Sequence, residues 1–133
     1  NEKYYRQTTI ANNLNFKTMT MTTENVNTLE SIGVRMFDPN ETMKVLTHDV
    51  NIFWSWGVGK LIVVGLDPHD SWVNGLMLKV NGRKWKHFVL ITLNGLDYYE
   101  VRLVNKNHEV VEVKDHDIMF DELVDVIDRL IES

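Results

Sequence analysis

Residues 75–104 read Gly75-Leu-Met-Leu-Lys-Val-Asn-Gly-Arg-Lys-Trp-Lys-His-Phe-Val-Leu-Ile-Thr-Leu-Asn-Gly-Leu-Asp-Tyr-Tyr-Glu-Val-Arg-Leu-Val104. Two Asn-Gly pairs, Asn81-Gly82 and Asn94-Gly95, separate three apolar runs of strand-forming residues. Asn and Gly tolerate the positive φ angles of tight hairpin turns, so each pair predicts a reversal between antiparallel strands. The stretch therefore predicts a three-stranded antiparallel meander at the centre of the fold.

The length of each turn decides which side chains share a face of this meander. At Asn94-Gly95, loops of two or of four residues give the same faces, because both are even. They predict that alternate residues of the second and third strands lie together, namely Phe88, Leu90, Thr92, Tyr99, Val101 and Leu103.

The first turn leaves two alternatives. An even loop at Asn81-Gly82 puts Leu76, Leu78 and Val80 on the face opposite to Phe88. A three-residue loop, Asn81–Arg83, puts them on the same face as Phe88, and we favour it, with a bulge, because it gives one continuous apolar face. The middle strand is apolar on both sides, which predicts a central strand that is covered on both faces.

The composition indicates one domain without disulfides. A chain of 133 residues can bury a core without covalent or metal crosslinks. It has no cysteine, which excludes thiolate zinc sites and cysteine nucleophiles. No apolar run approaches the ~20 residues of a membrane span, so we expect a cytoplasmic protein without membrane contact. The net charge of −5 argues against general affinity for nucleic acid.

The N-terminal part carries the weakest pattern. Residues 1–21 are polar and aperiodic, so we interpret them as a disordered leader or as an artefact of cloning or gene calling. A single domain then spans residues 22–133. Thr22–Ile32 has helical spacing, and Asp38-Pro39 predicts a helix start because Asp can cap and Pro suits the first helical position.

The remaining segments complete an α+β prediction. Val50–Trp56 alternates and predicts a strand, Lys60–Leu66 predicts a second, and Glu109–Lys114 predicts the last. Phe120–Ile131 has one apolar stripe and predicts a closing amphipathic helix. Together these patterns indicate an antiparallel meander of about five or six strands, with helices on the N-terminal side and at the C-terminus.

Two segments resemble a known kind of protein. These are Asn94-Gly-Leu-Asp-Tyr-Tyr-Glu-Val101 and the ending from Lys114 to Leu123, which leads into the last helix. The pattern is similar to that of small bacterial, phage and mobile-element proteins of unknown function, with an Asn-x-x-Asp turn in a meander and an acidic C-terminal helix. The resemblance implies the fold and brings no activity, cofactor or functional residue.

A basic segment around the first turn is one candidate site. Its cations and its aromatic residue could contact phosphates and stack on an unpaired base of single-stranded nucleic acid. The alternative is a solvated hairpin whose Trp packs into the sheet. The residues are Lys79, Arg83, Lys84, Trp85 and Lys86.

A pair of tryptophans is the second candidate. In a strand, alternation puts Trp54 and Trp56 on one face, which would be a partner surface if exposed and core if covered.

Three histidine–aspartate segments could also hold a metal, as in phosphohydrolases, although Asp at element ends usually caps or turns. These are His48-Asp49, His69-Asp70 and Asp115-His116-Asp117.

The acidic ending has two interpretations: the solvated side of the last helix, which we favour, or a docking face for a basic partner. Its residues are Asp115, Asp117, Asp121, Glu122, Asp125, Asp128 and Glu132.

The sequence thus favours a small binding or accessory module that acts through protein–protein contact and uses no cofactor. Nucleic-acid binding through residues 79–87 is the alternative, and a metal-dependent hydrolase is the second alternative.

Overall fold

The computed structural model describes residues 7–10, 19–23, 32–33 and 35–132, with backbone alone at 7–10, 19–23 and 114–116. The described part contains seven strands and three helices. The strands are β1 (Gln7–Ile10), β2 (Met19–Thr23), β3 (Lys60–Val64), β4 (Gly75–Lys79), β5 (Phe88–Leu93), β6 (Tyr99–Val104) and β7 (Val110–Ile118). The helices are α1 (Pro39–Leu46), α2 (Val50–Ser55) and α3 (Leu123–Ile131).

All seven strands form one sheet whose spatial order follows the sequence, from β1 to β7. Strands β3 to β7 are an antiparallel meander, and β2 runs parallel to β3. The predicted α+β fold with its antiparallel meander and closing helix is confirmed. No helix in the described ranges has both the length and the apolar character needed to cross a membrane.

The connection between β4 and β5 is longer than predicted. Lys79 pairs with Phe88, and the amide of Val80 donates to the carbonyl of His87 at 2.9 Å. Residues 80–87 therefore form the connection, and its even length puts Leu78 beside Val89, opposite to Phe88. The three-residue loop that we favoured is wrong, because the tip folds into a wider connection instead of a tight turn.

The turn between β5 and β6 also changes the predicted faces. Leu93 pairs with Tyr99, so the loop has five residues, 94–98, an odd number. The Asn94 side-chain oxygen accepts from the amides of Leu96 at 2.9 Å and Tyr98 at 3.1 Å. Asp97, not Gly95, adopts the positive φ, 67°. The predicted grouping of Phe88, Leu90 and Thr92 with Tyr99, Val101 and Leu103 is wrong for this reason.

Helix α1 begins as predicted, but α2 replaces a predicted strand. The Asp38 carboxylate accepts from the amide of Asn40 at 2.9 Å, with Pro39 as the first helical residue. Residues 50–55, predicted as a strand, form α2, because Asp49 caps them by accepting from the amides of Asn51 and Ile52. The Asp49 cap therefore favours a helix in this segment more than its short apolar alternation favours a strand.

The N-terminal predictions are tested only in part. The segment 1–21, predicted to be a disordered leader or an artefact, contains β1 and the start of β2. Thr22 and Thr23, predicted to begin a helix, end β2 instead. The remainder of that predicted helix up to residue 31 lies outside the described residues.

Both faces of the central sheet are buried. The three helices cover one face, with Phe53 and Trp56 among the largest side chains of that core. On the other face Met77 and Leu90 are also without exposed area. This confirms the prediction of a middle strand, β5, that is covered on both sides.

Candidate binding surfaces

The connection between β4 and β5, residues 80–87, packs against the C-terminal end of α3. The amide of Lys84 donates to the carbonyl of Ile131 at 2.8 Å, and its ammonium donates to the carbonyl of Arg129 at 2.8 Å. The last carbonyls of a helix lack partners within the helix and carry partial negative charge. Lys84 therefore caps α3, and the basic tip is docked on the fold instead of protruding from it.

Three further predicted nucleic-acid contacts, Lys79, Trp85 and Lys86, also form hydrogen bonds within the hairpin. The Lys79 ammonium donates to the carbonyl of Lys86 at 2.8 Å, and that of Lys86 donates to the carbonyl of Gly82 at 3.2 Å. Trp85 is half-buried, and its indole N–H donates to the carbonyl of Phe88 at 2.9 Å. The structure brings the predicted residues together, but it turns the Trp85 ring towards the core, as the alternative interpretation proposed.

The tryptophans of α2 do not form one exposed face. Trp56 has no exposed area, and its indole N–H donates to the Asp128 carboxylate of α3 at 2.9 Å. Trp54 is half-buried and packs edge-on against Phe53. Residues two apart point about 200° apart around a helix, so the helical state separates the pair that a strand would have aligned.

The histidine–aspartate pairs do not converge. In the described part of the chain, no three His, Asp or Glu side chains lie close enough to hold a metal ion. Asp49 caps α2, and the Asp70 carboxylate accepts from the amide of Trp72 at 3.0 Å. The side chains of Asp115 and His116 lie outside the described set.

Strand β7 forms an edge of the sheet, and its exposure was not evident from the sequence. Val111 is 51% exposed and Val113 is 43% exposed. The turn that follows β7 adds Met119 and Phe120, which are 49% and 64% exposed. None of the described strands pairs with the outer side of β7, and water solvates its exposed valines poorly. We call residues 110–120 the β7 surface.

A groove lies beside this strand. It has a volume of about 350 Å³ and opens between the 80–87 connection, β6, β7 and α3. Its lining is mainly apolar, with Lys84 and Glu112 as the charged members. The lining residues are Lys84, Trp85, Leu103, Val111, Glu112 and Leu130.

Carboxylates accompany the C-terminal end of the β7 surface. Asp117 accepts from the Asn94 side-chain amide at 2.7 Å, which ties the 94–98 turn and its exposed Leu96 to the end of β7. Asp121 and Glu122 are exposed in the turn before α3. This end of the surface therefore combines apolar side chains with negative charge.

Comparison with protein-family models, with curated proteins and with solved structures gives no match for this chain. The resemblance to small bacterial, phage and mobile-element proteins stays a prediction.

Proposed function

We propose that this chain is a small protein-binding module of the cytoplasm, which acts through contact at the β7 surface. The observation that carries the proposal is the placement of the exposed apolar side chains. Six large ones are exposed in the described part of the chain, and four of them lie within residues 111–120. Exposed apolar residues are ordinary when scattered singly, whereas their concentration in one segment at a sheet edge favours an interaction surface.

The chemistry of the surface indicates the kind of partner. Phe120 and Met119 can act as anchors, because large apolar side chains contribute most when a partner buries them. The nearby Asp121 and Glu122 favour a partner with Lys or Arg at the rim of the contact. The proposed partner is therefore a protein segment that combines apolar side chains with Lys or Arg.

A capture experiment tests this function. The tagged chain is incubated with extract of its source organism and compared with Phe120→Ser and Val113→Ser. Both residues are exposed, so the variants should fold normally, while capture should fall by about tenfold or more, as expected for loss of an interface anchor. Trp72→Ser is the matched control, because Trp72 is exposed in the β3–β4 connection, three strands from β7.

Unchanged capture by Phe120→Ser and Val113→Ser would contradict the proposal, and so would an equal loss in Trp72→Ser.

Binding of single-stranded nucleic acid is a second candidate, supported by the exposed cations Arg83, Lys84 and Lys86. Arg83→Glu tests it, because that side chain is exposed and Lys84 is needed at the end of α3. Salt-dependent RNA binding that Arg83→Glu abolishes would favour this second function.

A further inference from the structure

The pairing between β6 and β7 is regular only at the centre of β7. Leu103, Arg102 and Val101 pair in turn with Glu112, Val113 and Lys114, and the register shifts on either side of this segment. The outer edge of β7 therefore has one short, regular stretch, centred on Val113. The exposed Val113 and Val111 lie in and beside it.

We propose that two copies of this chain pair through their β7 strands, antiparallel and about a two-fold axis at Val113. The proposal rests on the proposed contact function of the β7 surface and names a second copy as the partner. Such pairing joins the two sheets edge to edge, satisfies the outward backbone groups of β7 and covers both copies of Val113.

Symmetry limits the possible registers. In both copies the same alternate residues of β7 direct their peptide groups outwards. In an antiparallel pair about a two-fold axis these residues face each other, so one residue must lie opposite its own copy. An axis at 112 puts Glu opposite Glu, and an axis at 114 puts Lys opposite Lys. An axis at 113 instead puts Glu112 of each copy opposite position 114 of the other, where the sequence has Lys. Opposite charges placed across a strand pair are favourable, so position 113 is selected among the three residues of the regular stretch.

The ends of β7 lie outside this pairing. The register shifts on both sides of residues 112–114, and Asp117 adopts a positive φ of 60°, so the proposed strand pair is limited to the regular stretch. The regular stretch is short, so we expect a dimer that forms in a concentration-dependent manner.

Charge exchange tests the dimer. Sedimentation equilibrium should show that the purified wild-type chain dimerises as its concentration rises. Glu112→Lys and Lys114→Glu should each remain monomeric, because each variant places like charges opposite one another. An equimolar mixture of the two should form a heterodimer, and the double variant Glu112→Lys/Lys114→Glu should dimerise as the wild type does. Glu41→Lys is the control, because it changes the same exposed charge in α1, outside the β7 surface, and should still dimerise.

The mixing experiment separates pairing from misfolding, since unfolded variants would not recover dimerisation together. Dimerisation of either single variant alone to the wild-type extent would overturn the proposed register. A wild-type chain that stays monomeric to millimolar concentration would overturn the dimer. If that monomer still captures another protein in a Val113-dependent manner, the contact function stands and only the second copy is rejected.

Discussion

The two Asn-Gly pairs look alike in the sequence, but their glycines should differ in their tolerance of a side chain. A Cβ built on Gly82 would clash with the carbonyl oxygen of Ile131 and would lie 3.0 Å from its carbonyl carbon. A Cβ on Gly95 would meet no atom within 4 Å. Neither glycine needs a positive φ, so substitution by Ala tests close packing alone.

Gly82→Ala should lower the free energy of unfolding by about 2–3 kcal/mol. Forcing an atom against helix backbone costs roughly 1–3 kcal/mol, and the shift also weakens the bond of about 1 kcal/mol between the Lys84 amide and Ile131. This corresponds to a decrease in Tm of roughly 5–15 °C for a chain of this length. Urea unfolding followed by tryptophan fluorescence and circular dichroism measures the change.

Gly95→Ala is the matched control and should stay within about 0.5 kcal/mol of the wild type. If Gly82→Ala were as stable as the wild type, the 80–87 connection would not be docked on α3. Equal destabilisation by both substitutions would show that the glycines act through the turns themselves, and the packing argument would fail.

Two further predictions concern buried polar groups. Burial raises the pKa of Tyr99 above its usual value, and a hydrogen bond with Thr42 opposes this in part. The unfolded chain therefore releases this proton first, so stability should be lost as pH rises above about 10. Tyr99→Phe should reduce that loss in alkaline unfolding curves, and an unchanged loss would contradict this role of Tyr99. Asp128→Ala should lower the free energy of unfolding by about 1–3 kcal/mol, measured in urea, because it leaves the buried Trp56 N–H without its acceptor. If Asp128→Ala and Asp125→Ala lowered it equally, this role of Asp128 would be contradicted.

The sequence predicted the strands better than it predicted their registers. Apolar runs between turn residues were sufficient for the meander and for the closing helix. The registers depend on which residue adopts the positive φ, and in the second turn that residue is Asp97 because the Asn94 side chain organises a five-residue loop. The Asn-Gly pair predicted the position of this reversal correctly, but it predicted a loop of two or four residues where the structure has five.

The segment 50–55 shows a different limit. Its apolar alternation suits a strand, but only six residues are involved, and Asp49 provides a cap that periodicity does not detect. That one change also separates Trp56 from Trp54, and Trp56 lies in the core, where its indole N–H donates to Asp128. The sequence could not show this contact, because 72 residues separate the two partners.

The candidate site was the least predictable feature. The cluster of cations at residues 79–86 was visible in the sequence, but the α3 carbonyls that bind Lys84 come from another part of the chain. The exposure of Val113 follows from the position of β7 at the edge of the sheet, which depends on the order of all the strands. Local patterns therefore indicated charge and strand formation, whereas the position of β7 at the edge of the described sheet is a property of the assembled fold.

Photo-crosslinking tests the central claim most directly, namely that contact occurs at β7 and not at the basic tip. A photoreactive residue is placed at position 113 in one sample and at position 83 in another, since both native side chains are exposed. The account predicts a crosslinked protein product, either the dimer or a captured partner, from position 113 and none from position 83. Crosslinks from position 83 with none from position 113 would contradict it.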